Sequence, residues 1–108
     1  MVFTKPQEAF DGMINSFNTE EAKGVEAVFQ WDLIGDEGGQ WHIVVKDERA
    51  NLCQGLHDSP NVSQTCSVDL FLSLVNFEVN AMQAFMSGKL KVSGDMMLAQ
   101  KIMSIFPL

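Results

Sequence analysis

The sequence predicts an α+β fold in a single domain that covers residues 1–108. Apolar residues recur with the period of a helix near the start of the chain and again beyond residue 66, whereas the period is two between residues 25 and 66. The 108 residues are 46% hydrophobic and 19% charged, which suffices for one core, and no linker or repeat divides them. We therefore expect one sheet with one face covered and the other face open to solvent.

The first helix is predicted near the start of the chain. Thr4 and Pro6 resemble a helix N-terminus, with Gln7 at the capping-box position. Beyond them, apolar residues recur at helical spacing, namely Phe10, Met13, Ile14 and Phe17. The stretch "NTEEAKG" then predicts a short helical turn that ends at Gly24.

Four strands are predicted next. One face of the first carries Val25, Ala27, Phe29, Trp31 and Leu33. The turn residues "GDEGG" separate it from a second strand with Trp41, Ile43 and Val45, so the pair predicts a hairpin. Weaker strands are predicted over residues 50–55 and 62–66, and the latter places Val62, Gln64 and Cys66 on one side.

The C-terminal part returns to helices. Residues 67–77 and 78–86 predict two helices or one broken helix, capped by Ser67 or Asp69. The segment "GKLKVSG" follows as a strand with Leu90 and Val92 directed inward. Gly94 and Asp95 then open a last helix that is rich in methionine and apolar around most of its surface. A second subunit, a membrane surface or an apolar ligand would each cover the face that the sheet leaves free.

Charge and motifs limit the chemistry. The net charge is −7, but residues 85–108 hold three lysines and only one acidic residue, so the C-terminal part carries +2. Nucleic acid would be repelled by most of the surface. The sequence lacks the Walker A, GxSxG, HExxH and CxxC motifs, and its two histidines, His42 and His57, are predicted on a strand's outer face and in a loop. We expect no enzymatic activity, no cofactor and no metal.

The predicted location is cytoplasmic. No apolar run approaches the roughly 18 residues that span a bilayer, the start of the sequence does not resemble a signal peptide, and "SIFPL" differs from a peroxisomal signal.

Residues 84–102, "AFMSGKLKVSGDMMLAQKI", closely resemble the C-terminal signature of the sterol carrier protein type 2, or nonspecific lipid-transfer, domain. The stretches "VFQWDL" and "GQWHIVVKD" resemble the first two strands of that family. The resemblance implies a mixed five-stranded sheet with helices on one face, which enclose an apolar tunnel for fatty acids, fatty acyl-CoA or sterols. The sequence departs from the family pattern at Met82 and Ser87, where the family often has a glutamine and another polar residue, respectively.

The function that follows is binding and transfer of lipid by a monomer, with transient contact to a membrane. The tunnel wall is predicted to include Phe71, Leu74, Val75, Met82, Phe85, Met86, Met97, Leu98, Ile102, Met103, Ile105 and Phe106. For an anionic headgroup, Lys23 offers charge and Gly24 a backbone N–H, next to Val25 at the start of the first strand; Gly24 is equally well explained as a helix stop. The alternative function is an interaction or dimerisation module that buries the last helix against a partner.

Overall fold

The computed structural model describes residues 2–108. A first helix precedes four strands, two helices follow, and a fifth strand leads to the last helix. In chain order these elements are α1 (Pro6–Asn15), β1 (Ala27–Ile34), β2 (Gly39–Lys46), β3 (Arg49–Gln54), β4 (Val62–Ser67), α2 (Val68–Val75), α3 (Ala81–Met86), β5 (Lys91–Gly94) and α4 (Met96–Ile105). The predicted α+β class and the change of period near residues 25 and 67 are confirmed.

The five strands form one mixed sheet in the order β3-β2-β1-β4-β5. The predicted hairpin is present, with β1 antiparallel to β2 and Phe29 opposite Ile43. On its other side β1 runs parallel to β4, and Phe29 faces Val62. The central position of β1 explains why its inward side chains are among the most buried in the protein.

The core lies between the sheet and the helices. The inward residues of β1 and β2 are almost completely buried, as the alternation predicted. Phe10 of α1 is their main partner: its ring packs against Trp31 edge-on at 5.2 Å and lies 4.9 Å from the ring of Trp41. Phe10 also stacks on Phe71 of α2 at 5.0 Å. These four rings fix α1 and α2 over one face of the sheet.

The opposite face of the sheet is not simply wet, contrary to the prediction. Residues 55–61 connect β3 to β4 across it. The imidazole Nδ1 of His42 lies 2.8 Å from the carbonyl oxygen of Gly55, and the backbone N–H of His57 donates to Oε1 of Gln30 at 2.8 Å. Gln30 and His42 are consequently buried although they point away from the helices. Parallel neighbours such as β1 and β4 need a long connection between them. The last part of that connection, residues 55–61, covers the centre of the outer face.

The start of α1 differs from the prediction. α1 begins at Pro6 with Lys5 as its N-cap, and Glu8 rather than Gln7 accepts hydrogen bonds from the backbone N–H groups of Thr4 and Lys5. These hydrogen bonds, the one from the Thr4 backbone first, lower the pKa of the Glu8 carboxyl. Residues 19–24 form the predicted short helical turn: the backbone N–H of Ala22 donates to the carbonyl oxygen of Asn18 at 3.1 Å, and the side chain of Asn18 accepts from the backbone N–H of Glu20 at 3.0 Å.

α2 and α3 are separate helices, which settles the open alternative. Ser67 caps α2 by accepting from the backbone N–H of Leu70 at 3.1 Å. Asn76 ends it, and its side chain donates to and accepts from the backbone of Phe3 at 2.9 and 2.8 Å. The next residue, Phe77, has φ +60°, in the left-handed region that a bulky residue seldom adopts. The chain therefore turns sharply between the two helices.

Candidate functional site

A cavity of about 920 Å³ lies between the C-terminal helices and the adjoining half of the sheet. Its lining is mostly apolar and comprises Met13, Trp31, Phe71, Leu74, Val75, Phe77, Val79, Ala81, Met82, Phe85, Leu90, Val92, Met96, Ala99, Ile102, Met103, Phe106 and Leu108. Five polar residues complete it, namely Gln64, Glu78, Asn80, Gln83 and Gln100. The volume falls within the range of roughly 300–1,000 Å³ typical of ligand sites.

The floor of the cavity is the inward face of β1, β4 and β5. Trp31 pairs with Gln64, and Gln64 in turn pairs with Val92, so the three side chains stand in one row across the sheet. Side chains that face each other on neighbouring strands lie about 5 Å apart. The floor is therefore a tryptophan, an amide and a valine side by side.

One wall is α2, where Phe71, Leu74 and Val75 face the cavity. Their spacing of three and four residues places them on a single helix face. Phe71 is buried by its stack on Phe10, whereas Leu74 and Val75 are half-buried. This wall is held by the aromatic cluster of the core.

The opposite wall is α4. Asp95 caps it by accepting from the backbone N–H groups of Met97 and Leu98 at 2.9 and 3.2 Å. The preceding Gly94 has φ +100°, and a side chain there would collide with the carbonyl oxygen of Asn61. The glycine thus lets β5 pack closely against the start of β4, which sets the position from which α4 begins.

The cavity is open to solvent along α3 and α4. Met82 is 58% exposed although it lines the cavity, and Phe77, Phe85 and Met103 are also exposed. α3 buries only Ala84. The structure thus shows an open apolar cavity between the sheet and these helices, and the enclosed tunnel that the resemblance implies stays a prediction.

The lining is nearly free of charge. It contains no lysine, arginine or histidine, and Glu78, at the mouth, is its one ionisable side chain. Lys89, Lys91 and Lys101 are exposed and lie outside the lining. An anionic group placed inside the cavity would find no counter-ion among the lining residues.

The structure brings eight of the fifteen predicted site residues to the cavity: Phe71, Leu74, Val75, Met82, Phe85, Ile102, Met103 and Phe106. Four others on the C-terminal helices lie outside its lining. Met86 and Met97 are 78% and 76% exposed, Leu98 is half-buried, and Ile105 is completely buried in the core.

The three residues predicted for a headgroup are not at the cavity. Gly24 and Val25 line a separate small pocket with three acidic residues, Glu26, Asp47 and Glu48. Lys23 forms an ion pair with Glu20 at 3.2 Å. Gly24 has φ +76°, which agrees with its alternative interpretation as a helix stop.

Several lining residues were missed because they lie outside the C-terminal helices. Met13 and Trp31 were predicted on the apolar faces of the first helix and the first strand, and Leu90 and Val92 were predicted to point inward, but none of the four was predicted to line the site. Gln64 carried the clearest signal: the alternation placed it on one side of the strand with Val62 and Cys66, and an amide between two apolar residues is unusual on such a face.

The family comparison decides the identity. Residues 11–107 match the model of the SCP-2 sterol transfer family. The chain belongs to the SCP-2 sterol transfer family. It is 34% identical over 97 residues to the hydroxysteroid dehydrogenase-like protein 2 of Bos taurus, and this match covers 89% of the chain and 23% of that relative. It is also 32% identical over 95 residues to the peroxisomal multifunctional enzyme type 2 of Mus musculus, covering 85% of the chain and 13% of the relative.

Solved structures of SCP-2 proteins share the fold. Sterol carrier protein 2 from Yarrowia lipolytica superimposes with a TM-score of 0.73 at 25% identity, covering 92% of this chain and 90% of that one. The palmitated SCP2L2 of Aedes aegypti gives a TM-score of 0.73 at 22% identity, covering 97% and 96%. The sec-alkylsulfatase Pisa1 of Pseudomonas sp. gives 0.82 at 14% identity, but the match is 94% of this chain and only 16% of the sulfatase. The predicted family and fold are confirmed.

None of the helices in residues 2–108 is long and apolar enough to cross a membrane. Within the same residues, no three side chains of His, Cys, Asp or Glu stand close enough together to hold a metal ion.

Proposed function

We propose that this SCP-2 chain binds a lipid in the open cavity and passes it on without chemical change. The observation that carries the proposal is the lining: 18 of its 23 residues are apolar, around about 920 Å³. The ligand classes we consider are fatty acids, fatty acyl-CoA and sterols. The eight predicted residues at the cavity would form the lipid contacts, together with the floor residues Trp31 and Val92.

The energetics of such binding are favourable. A chain of about sixteen methylenes gains roughly 0.8 kcal/mol per methylene on leaving water, or about 13 kcal/mol in total. Association and ordering remove several kcal/mol of this gain. Micromolar to nanomolar affinity follows from burial alone, so neither a cofactor nor a reactive side chain is needed for the proposed function.

The relatives support lipid binding by what their names describe. One structural neighbour is a palmitated protein and another is a sterol carrier protein. The chain spans about a quarter of the length of the hydroxysteroid dehydrogenase-like relatives. Any dehydrogenase activity belongs to those longer proteins, and for this chain we propose the carrier role. The cytoplasmic location remains a prediction, since one relative is by name peroxisomal.

For the transfer step, we propose that the mouth of the cavity contacts an anionic bilayer. Exposed apolar side chains line it, namely Phe77, Val79, Met82, Phe85, Met96, Met103 and Leu108, and the exposed Met86 and Met97 lie on α3 and α4 outside the lining. Residues 85–108 also hold three exposed lysines, and the single acidic residue among them, Asp95, caps α4. Apolar side chains with adjacent lysines suit the interface of an anionic membrane. The rest of the chain is acidic, so this face is the one that a bilayer would attract.

Native mass spectrometry of the purified protein, followed by organic extraction, tests the proposed function. A one-to-one adduct of lipid mass on a monomer is the expected result. Leu74→Glu would place a carboxylate in the half-buried apolar wall and should remove the adduct, whereas Met97→Glu, the same added charge outside the lining, should keep it. An adduct-free dimer would instead support the alternative, an interaction module that covers α4 with a second copy.

A further inference from the structure

The electrostatics of the cavity restrict the headgroup that it can hold. Carboxylate or phosphate buried without a cation or several hydrogen-bond donors loses far more in hydration than it regains. The lining offers no lysine, arginine or histidine, and Glu78 would repel an anion at the mouth. Three of the four primary amides in the lining, those of Asn80, Gln83 and Gln100, are exposed, so a polar end that lies deep in the cavity meets few donors and is favoured when it is uncharged.

The floor offers one polar group that is placed to meet such a headgroup. Gln64 stands between Trp31 and Val92 in the pairing register, and all three line the cavity. Its side chain is half-buried. The other four polar residues of the lining belong to the helices or to the segment between α2 and α3, and they are exposed. Gln64 is thus the polar group deepest in the apolar surface.

The amide of Gln64 is also free to bind. Across residues 2–108, every fully buried side-chain nitrogen or oxygen has a hydrogen-bond partner. Within residues 2–108 the Gln64 amide makes no hydrogen bond, so its atoms are not fully buried and are accessible from the cavity. A primary amide both donates and accepts, and a hydroxyl group can satisfy it in both directions. A carboxylate can only accept, and it would bring its charge to a site without a cation.

We propose that Gln64 is the anchor for an uncharged hydroxyl group, so that the cavity selects neutral hydroxylated lipids over fatty-acid anions. The inference rests on the proposed function, since it names the ligand class of the same cavity. The hydroxyl could belong to a straight-chain alcohol or to a sterol. In either case it meets the amide on the sheet, and the apolar body fills the space between α2 and α4.

The test compares hexadecanol, cholesterol and palmitate at pH 8 by displacement of a neutral fluorescent probe. The variant is Gln64→Leu, and the matched control is Gln100→Leu, the same change at an exposed lining residue on α4. Gln64→Leu should weaken binding of hexadecanol or cholesterol about tenfold, because the hydroxyl then loses its hydrogen-bond partner at the floor of the cavity. Palmitate affinity should change less than twofold, as should all three affinities in Gln100→Leu.

The outcomes separate this inference from the function on which it rests. Hexadecanol and cholesterol affinities that are both unchanged in Gln64→Leu, or an equal loss for palmitate, would overturn the role of Gln64. Wild-type protein that binds palmitate more tightly than hexadecanol and cholesterol would overturn the selectivity. A protein that binds none of the three ligands would overturn the proposed function itself. The melting temperature of Gln64→Leu must match that of the wild type, and we expect it to do so because leucine suits the apolar floor.

Discussion

The ring of Phe106 packs against that of Phe17, with their centroids 5.6 Å apart, and meets Phe29 edge-on at 6.3 Å. Phe106 follows directly after α4 and is only 1% exposed. It lines the cavity on one side and contacts the central strand and the segment after α1 on the other. The end of α4 is therefore part of the core, while the start of the same helix is exposed at the mouth.

Phe106→Ala should accordingly lower the free energy of unfolding by about 3–5 kcal/mol, the range for loss of a buried phenylalanine. Denaturant unfolding measures the change, and Met97→Ala on the exposed part of the helix should stay within about 0.5 kcal/mol of wild type. A small loss of stability combined with a large loss of lipid binding would contradict the core role and would indicate that the end of α4 is a mobile lid.

The proposed bilayer contact predicts that the lysines of residues 85–108 contribute more to vesicle binding than basic residues elsewhere in the protein. Lys89→Glu combined with Lys101→Glu should reduce binding to phosphatidylserine-containing vesicles more than tenfold, since each lysine contributes about 1 kcal/mol near an anionic surface. Lys46→Glu with Arg49→Glu makes the same charge change at the turn between β2 and β3 and should have little effect. Sedimentation with vesicles at two salt concentrations measures both, and equal losses would rule out a specific docking face.

A cation at the mouth should change ligand preference. Glu78→Lys replaces the single ionisable residue of the lining with a base, so palmitate should bind about two to five times more tightly, the gain expected from an exposed ion pair. Hexadecanol affinity should stay within twofold. Glu21→Lys, the same change outside the lining, is the control in the displacement titration. Equal gains in palmitate affinity in both variants would mean that the net charge of the protein, rather than a cation at the mouth, raises the affinity.

Burial of Cys66 predicts a pH-dependent stability. Burial raises the pKa of this thiol from 9.0 to about 11, because the interior disfavours the thiolate. The folded state thus holds the proton more tightly than the unfolded chain, so the associated stability is present below pH 9 and is lost as the pH rises towards 11. The free energy of unfolding should fall by about 2–3 kcal/mol over this window.

Cys66→Ala serves as the reference, since the difference between its pH profile and that of wild type isolates the thiol from lysine titration. Identical profiles would contradict the raised pKa of Cys66.

Much of the fold could be predicted because local pattern and tertiary structure agree. Alternation over Phe29, Trp31 and Leu33 predicted the buried face of β1. Ser67, one of two predicted caps, caps α2, and Asp95, predicted at the start of the last helix, caps α4. Alternation does not reveal which segment of the chain covers the opposite face, because Gln30 and His42 are polar residues of the kind usually found at exposed positions. They are buried by residues 55–61, which are distant in the chain, so local periodicity could not predict their burial.

The candidate site was predicted in part for a related reason. Eight predicted residues lie at the cavity because an excess of apolar side chains on α2, α3 and α4 indicates a face that needs covering. Lys23 and Gly24 were chosen by charge and backbone access near the first strand, yet they lie beside an acidic pocket. Which end of a strand borders a cavity depends on strand order, and the parallel β1–β4 pair is not encoded by any local pattern.

The connection across the outer face has a consequence for how a ligand leaves. β1 has a neighbouring strand at each edge, the helices on one face and residues 55–61 on the other, whereas α3 buries a single residue. Amide hydrogens of β1 should thus exchange with solvent only on global unfolding, and those of α3 by local opening. Ligand release would then depend only on the local opening of α3. Substitutions that strengthen the sheet should slow unfolding without lengthening the residence time of a bound lipid.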